Sequence, residues 1–197
     1  MVKVDMDKAY ARLEWTFLIR VMSKFGFKEW FCDFCFRFYA SPWITISLHG
    51  KGFGFFKSVR GVRQGDPLSP SLFILAQEAL TRNIHKGMGD GRIITFMNKV
   101  GVNLVSHLMF SDDMIFFIND KRRSVDGLKK IMTTYGVLSR HRVNIKKGNV
   151  FISNKCSGRR SRDIKDWLGM LQHQLLMVYL SSSISNGRIK KVLFGTS

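Results

Sequence analysis

Acidic residues are scarce in this chain: 14 Asp and Glu face 32 Lys and Arg, for a formal net charge of +18 and an isoelectric point near 10.3. That imbalance excludes the near-neutral surface of an ordinary cytosolic enzyme and calls for a polyanionic partner, nucleic acid first and an anionic membrane surface second. Cysteine is scarcer still. Cys32, Cys35 and Cys156 are too few for a disulfide framework, and a reducing compartment is expected. Long apolar runs are missing: none approaches the roughly 18 residues of a spanning helix, so no membrane span is expected. Lys3, Asp5, Asp7 and Lys8 break up the first ten residues and argue against a secretory signal there. Repeats and low-complexity tracts are also lacking. What is present is 45% apolar and 13% aromatic sequence over 197 residues, enough for one domain with a sizeable core.

Periodicity orders the elements. Val2 and Val4 alternate with charges as in a strand. "EWTFLIRVMSKFGF" has helical spacing with Gly26 as a stop, and "EWFCDFCFRFYA" reads as a second helix ended by Ser41 and Pro42. The CxxC spacing of Cys32 and Cys35 lacks a second ligand pair, so both are read as small apolar residues rather than zinc ligands. "WITISL" and "FGFFKSV" predict two strands joined by a Gly-rich turn at His49 to Gly54. "SPSLFILAQEALTRNIHKG" predicts the clearest helix, with Ser69 as N-cap, Pro70 in the first turn and Gly87 as exit. "RIITFM" reads as a strand, "RRSVDGLKKIMTTYGVLSR" as an amphipathic helix, and "VNIKKGNVFIS" as a further strand. Mixed helices and strands with several hairpins and few βαβ units predict an α+β fold.

Three stretches carry chemistry. In "HLMFSDDMIFF", Ser111 to Met114 fits a hairpin turn that would present Asp112 and Asp113 together to a hard divalent cation. Taken alone, two aspartates in a turn are more often structural. In "VDMDKAYARL", Asp5 on the first strand could add a third carboxylate from a separate element, and Asp5 and Asp7 would share one strand face with Met6 on the other. The plain alternative is a charged edge strand. In "RGVRQGDPLSPSLF", glycines, prolines and donors lead into a helix whose N-terminal amides could meet an anion, with Arg60, Arg63 and Gln64 adding side-chain donors.

In combination and in this order, "DMDKAY", "RGVRQGDPLSPSLF" and "FSDD" resemble the reverse transcriptases of non-LTR (LINE-like) retrotransposons, especially the plant kind. The likeness covers nearly the whole chain, and "RQGDPLSP" is its most specific part. It implies a polymerase palm over residues 1–197, an antiparallel sheet backed by helices, with fingers and thumb largely outside this chain. Asp5, Asp112 and Asp113 match the family's metal-binding carboxylates, for two Mg²⁺ or Mn²⁺ ions. Tyr10 matches the position that screens the sugar 2′ face of the incoming nucleotide. Arg63, Gln64 and Gly65 lie in the loop that packs near that nucleotide. "VNIKKG" is similar to the family's next motif, which puts Lys147 near the departing pyrophosphate, and "LLMVYL" at Leu175 to Leu180 resembles a worn primer-gripping segment. The implied partners are an RNA template, a DNA primer and deoxynucleoside triphosphates, in an intracellular setting with the nucleus expected.

The chain departs from the family pattern at Ala11 and Ser111, where Asp and Ala are usual, near Arg140, where a Gly is usual, and at Ser181. Two readings follow: an RNA-directed DNA polymerase domain, impaired as a fragment, or a catalytically dead basic relic that binds nucleic acid. A maturase-like splicing helper has no supporting segment.

Overall fold

The first strand of the chain becomes the middle strand of its main sheet. The computed structural model describes residues 1–95, 105–152, 156–172, 176–179 and 182–185. Strand β1 (Val2–Asp5) is flanked on one side by β5 (Asp113–Phe116), which is followed outward by β4 (His107–Phe110). On its other side lie β6 (Asn149–Val150) and β7 (Leu171–Gln172). The β4–β5, β5–β1 and β1–β6 pairs are antiparallel and β6–β7 is parallel.

Alternation gives β1 two chemically different faces. Val2 and Val4 join Met6, Met114 and Phe116 on the side packed against helices. Lys3, Asp5 and Asp113 belong to the opposite face, where Ile115 packs with Phe151 in a small separate cluster. Three helices build the core on the first side. They are α2 (Trp15–Lys24), α4 (Ser69–Gly89) and α5 (Arg122–Ser139). In α4 the buried residues Leu72, Phe73, Ala76, Gln77, Leu80 and Ile84 recur at helical spacing, which lays one stripe along the core. Val125, Leu128, Ile131, Met132 and Tyr135 do the same for α5.

The short α1 (Ala9–Arg12) follows β1, and α3 (Glu29–Ala40) packs on α2, burying Cys32 and Cys35 as small apolar side chains. A separate hairpin of β2 (Trp43–Leu48) and β3 (Lys51–Lys57) stands out from the body. The basic helix α6 (Gly158–Leu168) begins at Ser157, whose Oγ accepts from the Arg160 amide, and ends at Gly169 with φ 64°. A last hairpin pairs β8 (Leu176–Tyr179) with β9 (Ser182–Ser185).

The α+β expectation holds, an antiparallel sheet backed by helices. Several local expectations do not. Ser69 is not the N-cap of α4; it is buried, and its hydroxyl meets Tyr39 Oη at 3.1 Å, while the Asp66 carboxylate takes the Leu68 amide at 2.8 Å. The helix continues past Gly87 to Gly89. "VNIKKGNVFIS" is not one strand: Val143 makes an isolated bridge to Met6, residues 145–147 turn, and only Asn149–Val150 extend. Of "RIITFM", Thr95 forms an isolated bridge to Ile118, and the remainder from 96 lies outside the described residues. Leu175, Leu180 and Ser181 also lie outside them; the four residues between Leu175 and Leu180 form β8. No helix of the described residues is long and apolar enough to cross a membrane.

Candidate active site

Strand register brings the first acidic motif to the second. Asp5, at the C-terminal end of β1, sits directly opposite Asp113, at the start of β5. Ser111 and Asp112 form the two-residue turn between β4 and β5, with Ser111 in the left-handed region at φ 52°. The turn is tied down twice. The Met6 amide donates to the Asp112 carbonyl at 2.9 Å, and Gln77 Nε2 of α4 donates to the Ser111 carbonyl. The hairpin tip is thereby fixed against both the strand that carries Asp5 and the longest helix.

The third member comes from the segment after α5. The Asn144 amide donates to the Asp5 carbonyl at 2.9 Å, and the turn from Asn144 to Gly148 delivers Lys147, whose Nζ lies 3.5 Å from Asp5 Oδ2. Lys3, two residues before Asp5 on the same face, places its Nζ 3.2 Å from Asp113 Oδ1. Asp5 is buried, at 7% exposure, and its Oδ1 has no hydrogen-bond partner. Burial pushes the Asp5 carboxyl above its ordinary value, Lys147 opposes that, and the neighbouring Asp112 and Asp113 add to it.

Asp7 does not join this group. β1 ends at Asp5, so Asp7 falls on the following turn rather than on the same strand face, and Arg12 Nη2 takes its carboxylate at 2.7 Å.

Tyr10 and the loop before α4 form the adjoining wall. The Tyr10 ring stacks on Phe73 of α4, centroids 4.5 Å apart. The Val62 amide donates to the Tyr10 carbonyl at 2.9 Å, and the Gly61 amide to the Leu13 carbonyl at 2.8 Å. Only glycine suits position 61: φ is 90°, and a Cβ there would lie 2.6 Å from the Ala11 carbonyl oxygen. Arg63, Gln64 and Gly65 follow on the exposed side of this loop. Arg63 is committed to α3, with its guanidinium 5.5 Å over the Phe38 ring and Nη2 3.4 Å from the Phe38 carbonyl. The expected free helix terminus is already served from within, since Asp66 accepts from the Leu68 and Ser69 amides and Pro70 has no N–H.

The carboxylates suit a hard cation. Ionised, they only accept, one buried oxygen is unpartnered, and Asp112 and Asp113 raise the cost of charging Asp5. Among the described residues no three His, Cys, Asp or Glu side chains stand close enough to enclose an ion. The expected three-carboxylate cage is therefore not formed in this conformation. The counter-charges here are two ammonium groups, one on Asp5 and one on Asp113.

Sequence reasoning missed Lys3, Gln77 and Asp66. Lys3 was signalled by its two-residue offset from Asp5. Gln77 was signalled as the one amide side chain on the apolar stripe of α4.

A basic α+β domain with paired carboxylates at the end of an antiparallel sheet is the frame in which known relatives were found. Residues 1–172 match the model of the reverse transcriptase (RNA-dependent DNA polymerase) family, and the chain belongs to that family. It is 28% identical over 117 residues to the retrovirus-related Pol polyprotein from a type-2 retrotransposable element of Drosophila melanogaster, covering 59% of this chain and 10% of that protein. It is 26% identical over 134 residues to the corresponding polyprotein from the type-1 retrotransposable element R2 of Popillia japonica, covering 68% and 21%. An uncharacterized mitochondrial protein of Arabidopsis thaliana is 35% identical over 71 residues, 36% of this chain and 58% of that one. The chain thus spans only part of the length of these relatives. In fold it is similar to apo telomerase from Candida tropicalis truncated from its C-terminal domain, with a TM-score of 0.56 at 17% identity over 80% of this chain and 31% of that one.

Proposed function

We propose that this chain is the palm of a plant-type non-LTR reverse transcriptase, which adds deoxynucleotides to a primer 3′-OH on an RNA template. The observation that carries the reading is the register that sets Asp5 against Asp113, with Asp112 next to it at a turn held by Met6 and Gln77. Asp5, Asp112 and Asp113 would hold two Mg²⁺ or Mn²⁺ ions, which supply Lewis-acid stabilisation of the attacking and leaving oxygens. The protein's own groups do the rest. Tyr10, braced by Phe73, screens the 2′ side of the sugar, and Gln64 and Gly65 of the pinned loop, with Arg63 once released from Phe38, contact the nucleotide. Lys147, displaced from Asp5, provides positive charge for the leaving pyrophosphate. The surplus of Lys and Arg tracks the phosphates of template and primer.

A second reading, a catalytically inactive nucleic-acid-binding relic, draws support from the ion pairs that tie Asp5 to Lys147 and Asp113 to Lys3. Primer extension with Mn²⁺, a short RNA template and four deoxynucleotides separates the two. Extension that falls at least about 100-fold in Asp113→Asn fits the enzyme reading. Salt-sensitive binding without extension fits the relic, and absence of both overturns each.

A further inference from the structure

On the helix side of the sheet, away from the carboxylates, β1, α5 and the 140–145 segment enclose a cavity of about 510 Å³. Val2, Val4 and Met132 give it an apolar floor. Its lining includes Arg12, Arg60, Lys129, Arg140 and Arg142, and no Asp or Glu. Arg12 is paired with Asp7, and Lys129 donates to the Trp167 carbonyl. Arg60, Arg140 and Arg142 have no acidic partner among the described residues.

A second, independent observation comes from His141, which lines the cavity at 4% exposure. Its ring stacks on Tyr135 and meets Phe73 edge-on. Nε2–H donates to the Ala9 carbonyl at 2.8 Å, which makes Nδ1 the acceptor of a neutral imidazole. That Nδ1 has no partner; among the described residues only Asp5 Oδ1 shares this condition. Burial lowers the ring's pKa from its ordinary value, against the Ala9 hydrogen bond and with a smaller push from Arg12. Unpaired cations around an apolar floor describe a ligand that is anionic at one end and apolar at the other.

We propose that this cavity binds a small organic phosphate with an apolar body. The body lies on Val2, Val4 and Met132, and the headgroup meets Arg140 and Arg142. The site is distinct from the carboxylate face and does not depend on the polymerase reading.

Methyl- and ¹⁵N-detected NMR titrations of the chain with octyl phosphate, octanol and inorganic phosphate test it. Octyl phosphate should saturate shifts of the Val2 and Val4 methyls. Octanol and inorganic phosphate should each bind at least tenfold more weakly. Arg140→Gln with Arg142→Gln, both exposed positions, should weaken octyl phosphate at least tenfold while leaving the methyl dispersion of the fold intact. Equal binding by inorganic phosphate would reduce the site to a basic rim, equal binding by octanol to an apolar hole, and an unchanged double variant or no shift at Val2 and Val4 would overturn the proposal.

Discussion

Two of the hairpins among the described residues, β4–β5 and β2–β3, have similar apolar content and opposite fate. β4–β5 is short, and β5 is packed between β1 and β4 with Met114, Ile115 and Phe116 essentially solvent-free. β2–β3 is longer, yet all seven residues of β3 and five of six in β2 are exposed, Phe55 at 77%. Its pairs Ile44↔Phe56 and Ile46↔Phe53 form an apolar ladder with no core beneath it among the described residues. Composition therefore does not decide burial. What decides it is whether the second edge of the hairpin finds another strand, and whether a helix covers one face. The hairpin that found both carries Asp112 in its turn and Asp113 beside it.

The largest test of this contrast is side-chain truncation. Met114→Ala should cost about 2–5 kcal/mol in denaturant unfolding, whereas Phe55→Ala should stay within about 0.5 kcal/mol. Comparable losses would mean that β2–β3 is also part of the cooperative core. Divalent cation sharpens the same contrast at the tip. Mn²⁺ at 100 times its dissociation constant should add about 2.7 kcal/mol of stability, and the gain should vanish in Asp112→Asn with Asp113→Asn. An equal thermal shift in that variant would remove the metal site. Next comes the buried Asp5. Because the fold raises its pKa, the native state holds this proton more tightly than the unfolded chain. Stability then falls as pH rises from the ordinary carboxylate range through the raised value. Asp5→Asn should be more stable than wild type at pH 7 and should flatten that decline; a destabilised variant would show that Lys147 outweighs the burial. The smallest effect belongs to Lys3→Ala. Its ion pair with the part-exposed Asp113 is worth under about 1 kcal/mol, and a larger loss would show that the lysine holds the tip in place.

Legibility followed the strength of the local signal. The stripe of Leu72, Phe73, Ala76, Leu80 and Ile84 made α4 readable, and the alternation of Val2 and Val4 gave β1 and its inner face. Asp112 as a turn residue was readable from its apolar flanks. Its partner was not, because pairing of β1 with β5 is a long-range choice between several apolar strands. Helix α6 was not read from the sequence, although Ser157 and Gly169 mark its ends and Ile164, Trp167 and Leu168 fall at helical spacing. "VNIKKGNVFIS" failed as one strand because residues 145–147 turn, the Lys147 and Gly148 amides both donating to the Asn144 carbonyl. His141, lodged among Phe73, Tyr135 and Ala9, gave no sign in the sequence, where a lone histidine between two arginines reads as a solvated site.

The central position of β1 also governs when the carboxylates can meet. Asp5 leaves the ribosome roughly a hundred residues before Asp113, and Val2 further ahead still of Val150. At about 5–20 residues per second, the strand waits roughly 5–20 s for its first neighbour. During that interval Val2, Val4 and Met6 have no sheet to enter, and helices α2 and α3, which need only nearby residues, can form ahead of it. Contacts so distant along the chain also slow refolding in solution. The acidic corner accordingly forms only after residue 113 has emerged, and a nascent chain arrested before it would have helices but no acidic pair.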